Sequence, residues 1–473
     1  MPTNMTSIIK TETLPAAQAP AAAAASPWRA FWIASSAVFL VSLDATMLFA
    51  AFDALRQSFT GSSTATLSWV LNAYTVVYAA MLIPAGGLAD AHGRKRVFRL
   101  GLAVFIAASV ACGLAPSVEG LIAARVVQAV GAALLTPASM SIVMAAFPVE
   151  RRALVISLWG AVGGLAAAVG PSLGSWVTAD FGWPWAFYIN VPVGLWALWQ
   201  SRSRIEEAVK PVQRRRVDVI GLLLLMAAVG AVALAIVESG SPAWSRGQIA
   251  AVAGAGLLAG VAFVLWARFH TAPLLDLSLF AHATYRYVNA ATLAFGTAFS
   301  MMFLGFFFFM TGIWHYTLPQ AGLAVTPGPL LVMPTAIITG RLAGRLGHRP
   351  FLVGGALLYA CSGLWMLLVP GTEPDYLHHW LPGLLMSGVG VGLVLPSLSG
   401  AAVSRLPAEH YAVGAAFNQA TRQIGGVLGV AITVGLLGHA SLTRTDFNAL
   451  YGLHIGLAVL TALLCLPVST RPR

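Results

Sequence analysis

Asp44 stands in the apolar run Phe39-Leu-Val-Ser-Leu-Asp-Ala-Thr46 and is the one acidic residue set well inside such a run. Counted from Phe31, where the run opens, it lies about 20 Å along an α-helix. A bare carboxylate in hydrocarbon is costly and a proton removes its charge, so the chemistry open to Asp44 is reversible protonation. The blander alternative is a structural carboxylate, paired with an arginine or held by hydroxyls such as Ser42 and Thr46.

Two arginines share this apolar setting. Arg125-x-x-Gln128 places two polar side chains three residues apart on one helical face. An embedded arginine costs about 2.5 to 3.5 kcal/mol on insertion scales, so it is expected against a cavity or a partner. Snorkelling to the headgroups is the competing expectation for Arg125. Arg422, several residues inside a later apolar run, fits either a cavity or an interfacial anchor.

Other chemistry is thinly represented. Cys112, Cys361 and Cys465 lie in apolar runs without CxxC spacing, and His378-His379 is a pair of neighbours that a helix points apart. Neither HExxH nor a GxxxxGK[ST] phosphate loop is present. No catalytic residue, metal or cofactor is therefore expected.

The elements that must position these groups are membrane helices. The 473 residues are 58% hydrophobic and only 9% charged, with mean hydropathy +0.80, against about a quarter charged in soluble domains. At about 20 residues per crossing there is room for a dozen or more spans and no sizeable soluble domain. Fourteen apolar segments follow Phe31: 31–52, 67–89, 97–115, 120–146, 154–178, 184–200, 218–238, 248–267, 287–313, 321–340, 350–369, 379–399, 413–437 and 451–467. Residues 1–28, rich in Ala, Pro and Thr, read as a disordered cytoplasmic tail.

The net charge of +11 would suggest nucleic acid in a soluble protein. Here the basic residues fall in short loops on one side, which fits the positive-inside rule and argues against a nucleic-acid partner. With the N-terminus cytoplasmic, only Arg56, Arg246 and Arg444 fall outside, while Arg125 and Arg422 lie within spans. The same assignment makes the number of spans even and the C-terminus cytoplasmic.

An internal repeat tests the count. Gly86-Gly-Leu-Ala-Asp-Ala-His-Gly-Arg-Lys95 follows the second segment, and Gly340-Arg-Leu-Ala-Gly-Arg-Leu-Gly-His-Arg349 follows the tenth. Two parallel six-helix halves would put the echo after the eighth, so two helices are inserted between the halves, and segments seven and eight fit that role. The boundaries expected are 29–203 for the first bundle, 204–285 for a cytoplasmic linker with the inserted pair, and 286–473 for the second bundle.

These motifs resemble the major facilitator superfamily, and within it the fourteen-span drug:proton antiporters (the EmrB/QacA-like group), from about Leu43 to Ile432. The pattern Gly86-x-Leu88-x-Asp90-x-x-Gly93-Arg94-Lys95 is similar to the superfamily's loop after the second helix. Its glycines permit a tight turn, and its carboxylate and guanidinium can bridge helix ends at a cytoplasmic gate. In the echo Gly344 replaces Asp90, so the second half lacks that latch. The Arg125 motif resembles the family's arginine motif, with Ala129 in a usual glycine position. Gly160, Gly163, Gly164, Gly170, Pro171 and Gly174 resemble the exporters' GxxxGPxxGG motif, with Ala166 and Ser175 departing from it. Leu43-Asp44-Ala45-Thr46 is similar to the LDxT opening of the group's own motif, while Phe49 and Asp53 replace its usual Asn and Pro. Further matches are Trp183-Pro-Trp-Ala-Phe-Tyr-Ile-Asn190-Val-Pro192 and Asn418-Gln-Ala-Thr-Arg422-Gln-Ile-Gly425-Gly426.

The fold implied is an all-α polytopic membrane protein: a major facilitator fold of two six-helix bundles plus two inserted helices, fourteen transmembrane helices in all. The implied function is secondary active export of small amphipathic or drug-like molecules in exchange for protons. Asp44 and Arg125 would couple protons, and Asp44, Thr46, Arg125, Gln128, Asn418 and Arg422 would line the substrate cavity. Gly86, Asp90, Gly93, Arg94 and Lys95 would form the cytoplasmic gate, and Gly170, Pro171 and Gly174 the antiporter helix. The alternatives are a proton-coupled importer or a dedicated metabolite exporter of the same fold. An intramembrane enzyme lacks its motifs, and a channel leaves the repeated loops unexplained. The expected partners are a small-molecule substrate, protons and the lipid bilayer of a bacterial inner (plasma) membrane; an adaptor or outer-membrane partner stays open.

Overall fold

The computed structural model describes residues 26–205, 218–240, 243–271, 273–406, 411–438 and 441–470, and these are helical with short connections. Most of the expected N-terminal tail lies outside them, as does most of the basic run 202–216. At its end the expectation is corrected, because Pro27 already occupies the first turn of α1 (Pro27–Ser58). Proline there loses no helical hydrogen bond and arrives with its φ preset.

The first half comprises α1, α2 (Thr64–His92), α3 (Arg94–Gly113), α4 (Val118–Ala146), α5 (Val149–Phe181), the single turn α6 (Trp185–Tyr188) and α7 (Asn190–Arg204). Short polar starts explain the breaks: the Ser63 hydroxyl accepts from Thr66 N and the Ser117 hydroxyl from Gly120 N. Then come α8 (Val219–Val237) and α9 (Arg246–Phe269), the latter opened by a Ser245/Gln248 capping box. The second half holds α10 (Ala283–Gly312), α11 (Leu318–Val325), α12 (Pro327–Leu346), α13 (Arg349–Leu368), α14 (Leu381–Val403), α15 (Tyr411–Leu437) and α16 (Phe447–Cys465). The tenth apolar segment is broken at its prolines, since α11 stops before Thr326 and α12 restarts at Pro327.

Among the described residues, twelve stretches are helical, long and apolar enough to cross a membrane. All the segments read from the sequence fall on helices, but α5 and the 15-residue α7 are not among the twelve. The expected count of fourteen spans is thus not met among the described residues, where twelve qualify. In each half, neighbouring helices pack as a bundle: α1 on α4, α5 and α7, and α3 on α4, then α10 on α15 and α16, and α13 on α14 and α16.

The pair α8 and α9 packs on itself, and α8 touches both α2 and α15. Only 17% and 11% of their apolar windows are buried, against 89% for α10. The inserted pair is therefore peripheral and α10 central. This also explains the aromatic and Met run from Met301 to Met310, which is buried core. Glu238, just past the end of α8, is only 9% exposed, because the turn after α8 packs beside α15.

The repeat is visible in the backbone. Gly93 between α2 and α3 has φ 97°, and Gly347 between α12 and α13 has φ 76°. Both are in the region that a side chain disfavours, at matching places in the two loops.

Candidate functional site

Helix α1 carries Asp44 into the middle of the first bundle, where α2, α4 and α7 surround it. Arg125 Nη1 donates to Asp44 Oδ2 at 2.6 Å, and both side chains are 1% exposed. Gln128 Nε2 and Asn190 Nδ2 each donate to Asp44 Oδ1 at 2.9 Å. The carboxylate is thus held by three side chains from two other helices. Arg125 Nε also donates to Val70 O at 3.1 Å, Nη1 reaches Gln128 Oε1, and the guanidinium lies 3.9 Å from the Tyr74 ring centroid. Gln128 Nε2 donates further to Ser109 Oγ at 2.9 Å.

Arg125 therefore neither snorkels nor faces open space: it is locked against a carboxylate, a carbonyl and an aromatic face. Such a pair is stable in low dielectric only while both charges persist. One oxygen stands apart, since Asn190 Oδ1 is buried without a hydrogen-bond partner. Sequence reasoning singled out Asp44, Arg125 and Gln128 but gave no role to Asn190, Ser109, Tyr74 or the Val70 carbonyl. Asn190 could have been found as the polar residue that opens α7 within its motif; the others carry no sequence signal.

Tyr74 and Tyr78 lead from this pair toward the second half. Their rings stack at 5.9 Å, and the Tyr78 hydroxyl meets Thr136 Oγ1 at 2.9 Å and the side chains of Gln419 and Gln423 on α15. Arg422 lies on the same face of α15. Asn418 points within its own half, donating to Asn289 Oδ1 at 3.1 Å and Thr292 Oγ1 at 2.8 Å. Thr46 is engaged with its own helix, donating to Ser42 O at 3.0 Å. The six residues expected around one cavity thus fall in three places: Asp44, Arg125 and Gln128 together, Thr46 at the α5 contact, and Asn418 and Arg422 on α15.

Helix α5, which carries Gly170, Pro171 and Gly174, packs through two faces. A Cβ on Gly170 would overlap the Thr46 hydroxyl, and one on Gly174 would come within 2.8 Å of Met47 Cα, so this face seats α1. The other face meets α11: Ser172 Oγ contacts Thr326 Oγ1, and a Cβ on Gly322 would come within 2.6 Å of Pro171 O. Small residues permit both approaches.

In the loop between α2 and α3, Arg94 Nη1 donates to Ser141 O at 3.3 Å and Lys95 Nζ to Arg202 O at 2.8 Å, tying the loop to α4 and α7. Gly86 faces Pro137 of α4. Asp90 is helical in α2, and its side chain lies outside the described residues. At the end opposite these basic loops the halves are joined: Thr311 Oγ1 donates to Asp53 Oδ2, Arg56 lies over Phe308 at 5.7 Å, and Phe49 meets Phe303 at 5.4 Å.

At the histidine pair His378-His379, Asp375 Oδ1 lies 3.1 Å from His378 Nδ1. Among the described residues no group of three or more His, Cys, Asp or Glu is placed to hold a metal.

Two helical bundles, the first holding a buried acid–base pair, with glycine-lined contacts between them, define a multi-pass membrane transporter. The chain belongs to the Major Facilitator Superfamily, whose sequence profile matches residues 34–430 and, again, 288–473. It is 32% identical over 402 residues to the multidrug resistance protein Stp of Mycobacterium tuberculosis, covering 85% of this chain and 74% of that one. It is 30% identical over 427 residues to the methylenomycin A resistance protein of Streptomyces coelicolor, covering 89% and 88%. Among solved structures it resembles the peptide transporter POT, with TM-score 0.67 and 16% identity over 95% of both chains, a likeness of fold.

Proposed function

We propose that the protein exports small amphipathic or drug-like molecules across a bacterial plasma membrane in exchange for protons. The observation that carries this reading is the Asp44–Arg125 pair, a protonatable group buried at mid-membrane and satisfied only while ionised. The resistance functions in the names of its relatives support the direction of transport and the breadth of substrate.

Protonation of Asp44 removes the counter-charge of Arg125 and turns one carboxylate oxygen into a donor. Asn190 Oδ1 is the free acceptor beside it, so rotation of that amide receives the new proton. The network then loosens α1 from α4 and α7, while α1 rides on the Gly170/Gly174 face of α5, whose other face meets the second half. In this reading Asp44 and Arg125 couple protons, Gln128 positions them, and Thr46, Asn418 and Arg422 border the path of the substrate. The loop of Gly86, Asp90, Gly93, Arg94 and Lys95 is the cytoplasmic gate. One proton falling through 100 mV yields about 2.3 kcal/mol for each cycle.

The same reading takes all fourteen apolar segments as spans, with both termini cytoplasmic and bundles near 29–203 and 286–473 around the inserted pair. Helix α7 is completed by the turn α6, and the basic residues Arg94, Lys95, Arg202, Arg341 and Arg345 collect on one side.

The test uses purified protein in vesicles loaded with a fluorescent amphipathic dye. A pH gradient, acid on the side opposite the basic loops, is expected to drive dye out from the basic side, and collapsing the gradient is expected to stop it. Accumulation in the reverse direction would make the protein an importer.

A further inference from the structure

Arg422 is the embedded cation that the acid–base pair leaves over. It lies eleven residues beyond Tyr411, the first residue of α15, about 16 Å along the helix. Arg125 meets a carboxylate and a carbonyl, but Arg422 makes no hydrogen bond or ion pair among the described residues, and its Nε is buried without a partner. The ionisable side chain beside it is Tyr78 of the other half.

The setting is a seam between halves. Gln419, Arg422, Gln423 and Gly426 follow the i, i+3, i+4, i+7 spacing of one helical face, and that face meets Thr75 and Tyr78 of α2. A Cβ on Gly296 would come within 2.7 Å of Arg422 O, so α10 backs this point of α15 directly. One turn along α10, Phe299 is partly exposed, while every other residue from Ala294 to Met310 is buried. It stacks on Phe303 at 5.8 Å, which in turn meets Phe49 of α1. The seam thus joins an unpartnered guanidinium, polar Tyr78, Gln419 and Gln423, and an aromatic platform.

A guanidinium offers five donors in a planar fork that matches a carboxylate, and an arginine inside a membrane calls for a partner. We propose that Arg422 receives the anionic group of an amphipathic substrate, a carboxylate carried on an aromatic or apolar body that lies along Phe299. The proposal rests on the exporter reading, whose substrate class it narrows to organic monoanions.

The test is equilibrium binding of 1-naphthylacetate and of its neutral analogue 1-naphthylacetamide to the full-length protein in a non-ionic detergent, without any gradient. Wild type is expected to favour the carboxylate by roughly tenfold or more, as a charge-assisted bidentate contact would give. Arg422→Gln is expected to abolish that preference by lowering naphthylacetate binding far more than naphthylacetamide binding, with circular dichroism and a monodisperse elution profile reporting that the variant is folded. Arg422→Lys keeps part of the preference, and Phe299→Ala weakens both probes alike. Equal binding of the two probes to wild type would overturn the proposal, as would a preference that survives in Arg422→Gln. Where Arg422→Gln fails to fold, Arg422→Lys decides, and an undiminished carboxylate preference in it would overturn the proposal. Added anionic phospholipid that displaces naphthylacetate and binds more tightly than it would reassign the guanidinium to a lipid headgroup and sink the substrate assignment. Gradient-driven export is measured separately, so failure here leaves the exporter reading standing and failure there leaves the binding preference standing.

Discussion

Asp44 and Arg125 are 81 residues apart in the chain and 2.6 Å apart in the fold, in a direct ion pair whose two side chains are each 1% exposed. Removing one member of a buried pair costs more than removing both, because it leaves a bare charge. Asp44→Asn is expected to abolish flux driven by a pH gradient and to lower stability by about 3 to 5 kcal/mol. The double variant Asp44→Asn/Arg125→Gln is expected to recover much of that stability and none of the flux. Thermal melting and vesicle transport measured side by side decide this, and wild-type proton coupling in Asp44→Asn would remove the residue from the mechanism.

Asn190 has a donor on the carboxylate and an acceptor left over. Asn190→Leu is expected to keep the Asp44–Arg125 pair and to slow proton-driven flux tenfold or more, the loss of one charge-assisted hydrogen bond in the protonated state. Exchange of labelled for unlabelled substrate without a gradient is the control. A matching fall in both rates would mark Asn190 as a packing residue only.

Gly170 gives way to the Thr46 side chain, so the contact can be rebuilt from the other side. Gly170→Ala is expected to impair transport by crowding α1, and Gly170→Leu or Pro171→Leu to abolish it while the chain still inserts. Adding Thr46→Gly to Gly170→Ala restores room and is expected to restore part of the flux. Transport by Gly170→Leu at the wild-type rate would reduce the α1–α5 contact to ordinary packing.

The loop glycines Gly93 and Gly347 hold φ of 97° and 76°. A β-branched residue in that region costs of order 1 to 3 kcal/mol. Gly93→Val and Gly347→Val are both expected to lower the melting temperature by similar amounts, because the strain is the same. Flux should fall more in Gly93→Val, whose loop ties to α4 and α7 through Arg94 and Lys95. Asp90→Asn belongs to the same test, with impaired flux and normal insertion as the expected result.

Asp218 caps α8 and binds the inserted pair to the linker. Its carboxylate accepts from Gly221 N at 2.8 Å, and from Trp266 Nε1 and Leu274 N at 2.9 Å. Burial alone would raise its pKa, but these donors, with His270 nearby, hold it below the ordinary aspartate value. A depressed carboxylate pKa gives stability that is present above the unfolded value of about 3.9 and is lost as pH falls through the folded one. Wild type is therefore expected to lose stability below about pH 4 relative to Asp218→Asn, whose melting should be flatter there. At neutral pH Asp218→Ala should cost about 1 kcal/mol or more.

The amino-acid sequence by itself determined where the apolar helices run, because a membrane span is written in local hydropathy, a property of single stretches; the helix start at Pro27, inside what composition reads as a tail, came only with the structure. It also marked Asp44, Arg125 and Gln128, since ionisable residues in apolar runs are few and an i, i+3 spacing fixes a shared face. Which groups meet was decided only by tertiary structure. Val70, Tyr74 and Asn190 reach the same pair from helices whose depth and rotation depend on glycine contacts such as Gly170 on Thr46, and no periodicity within one helix encodes those. The two embedded arginines show the difference most clearly. Arg125 and Arg422 look alike as lone cations in apolar segments, yet packing turns one toward a carboxylate and leaves the other facing a seam, because a side chain's partner is set by the helix placed opposite it.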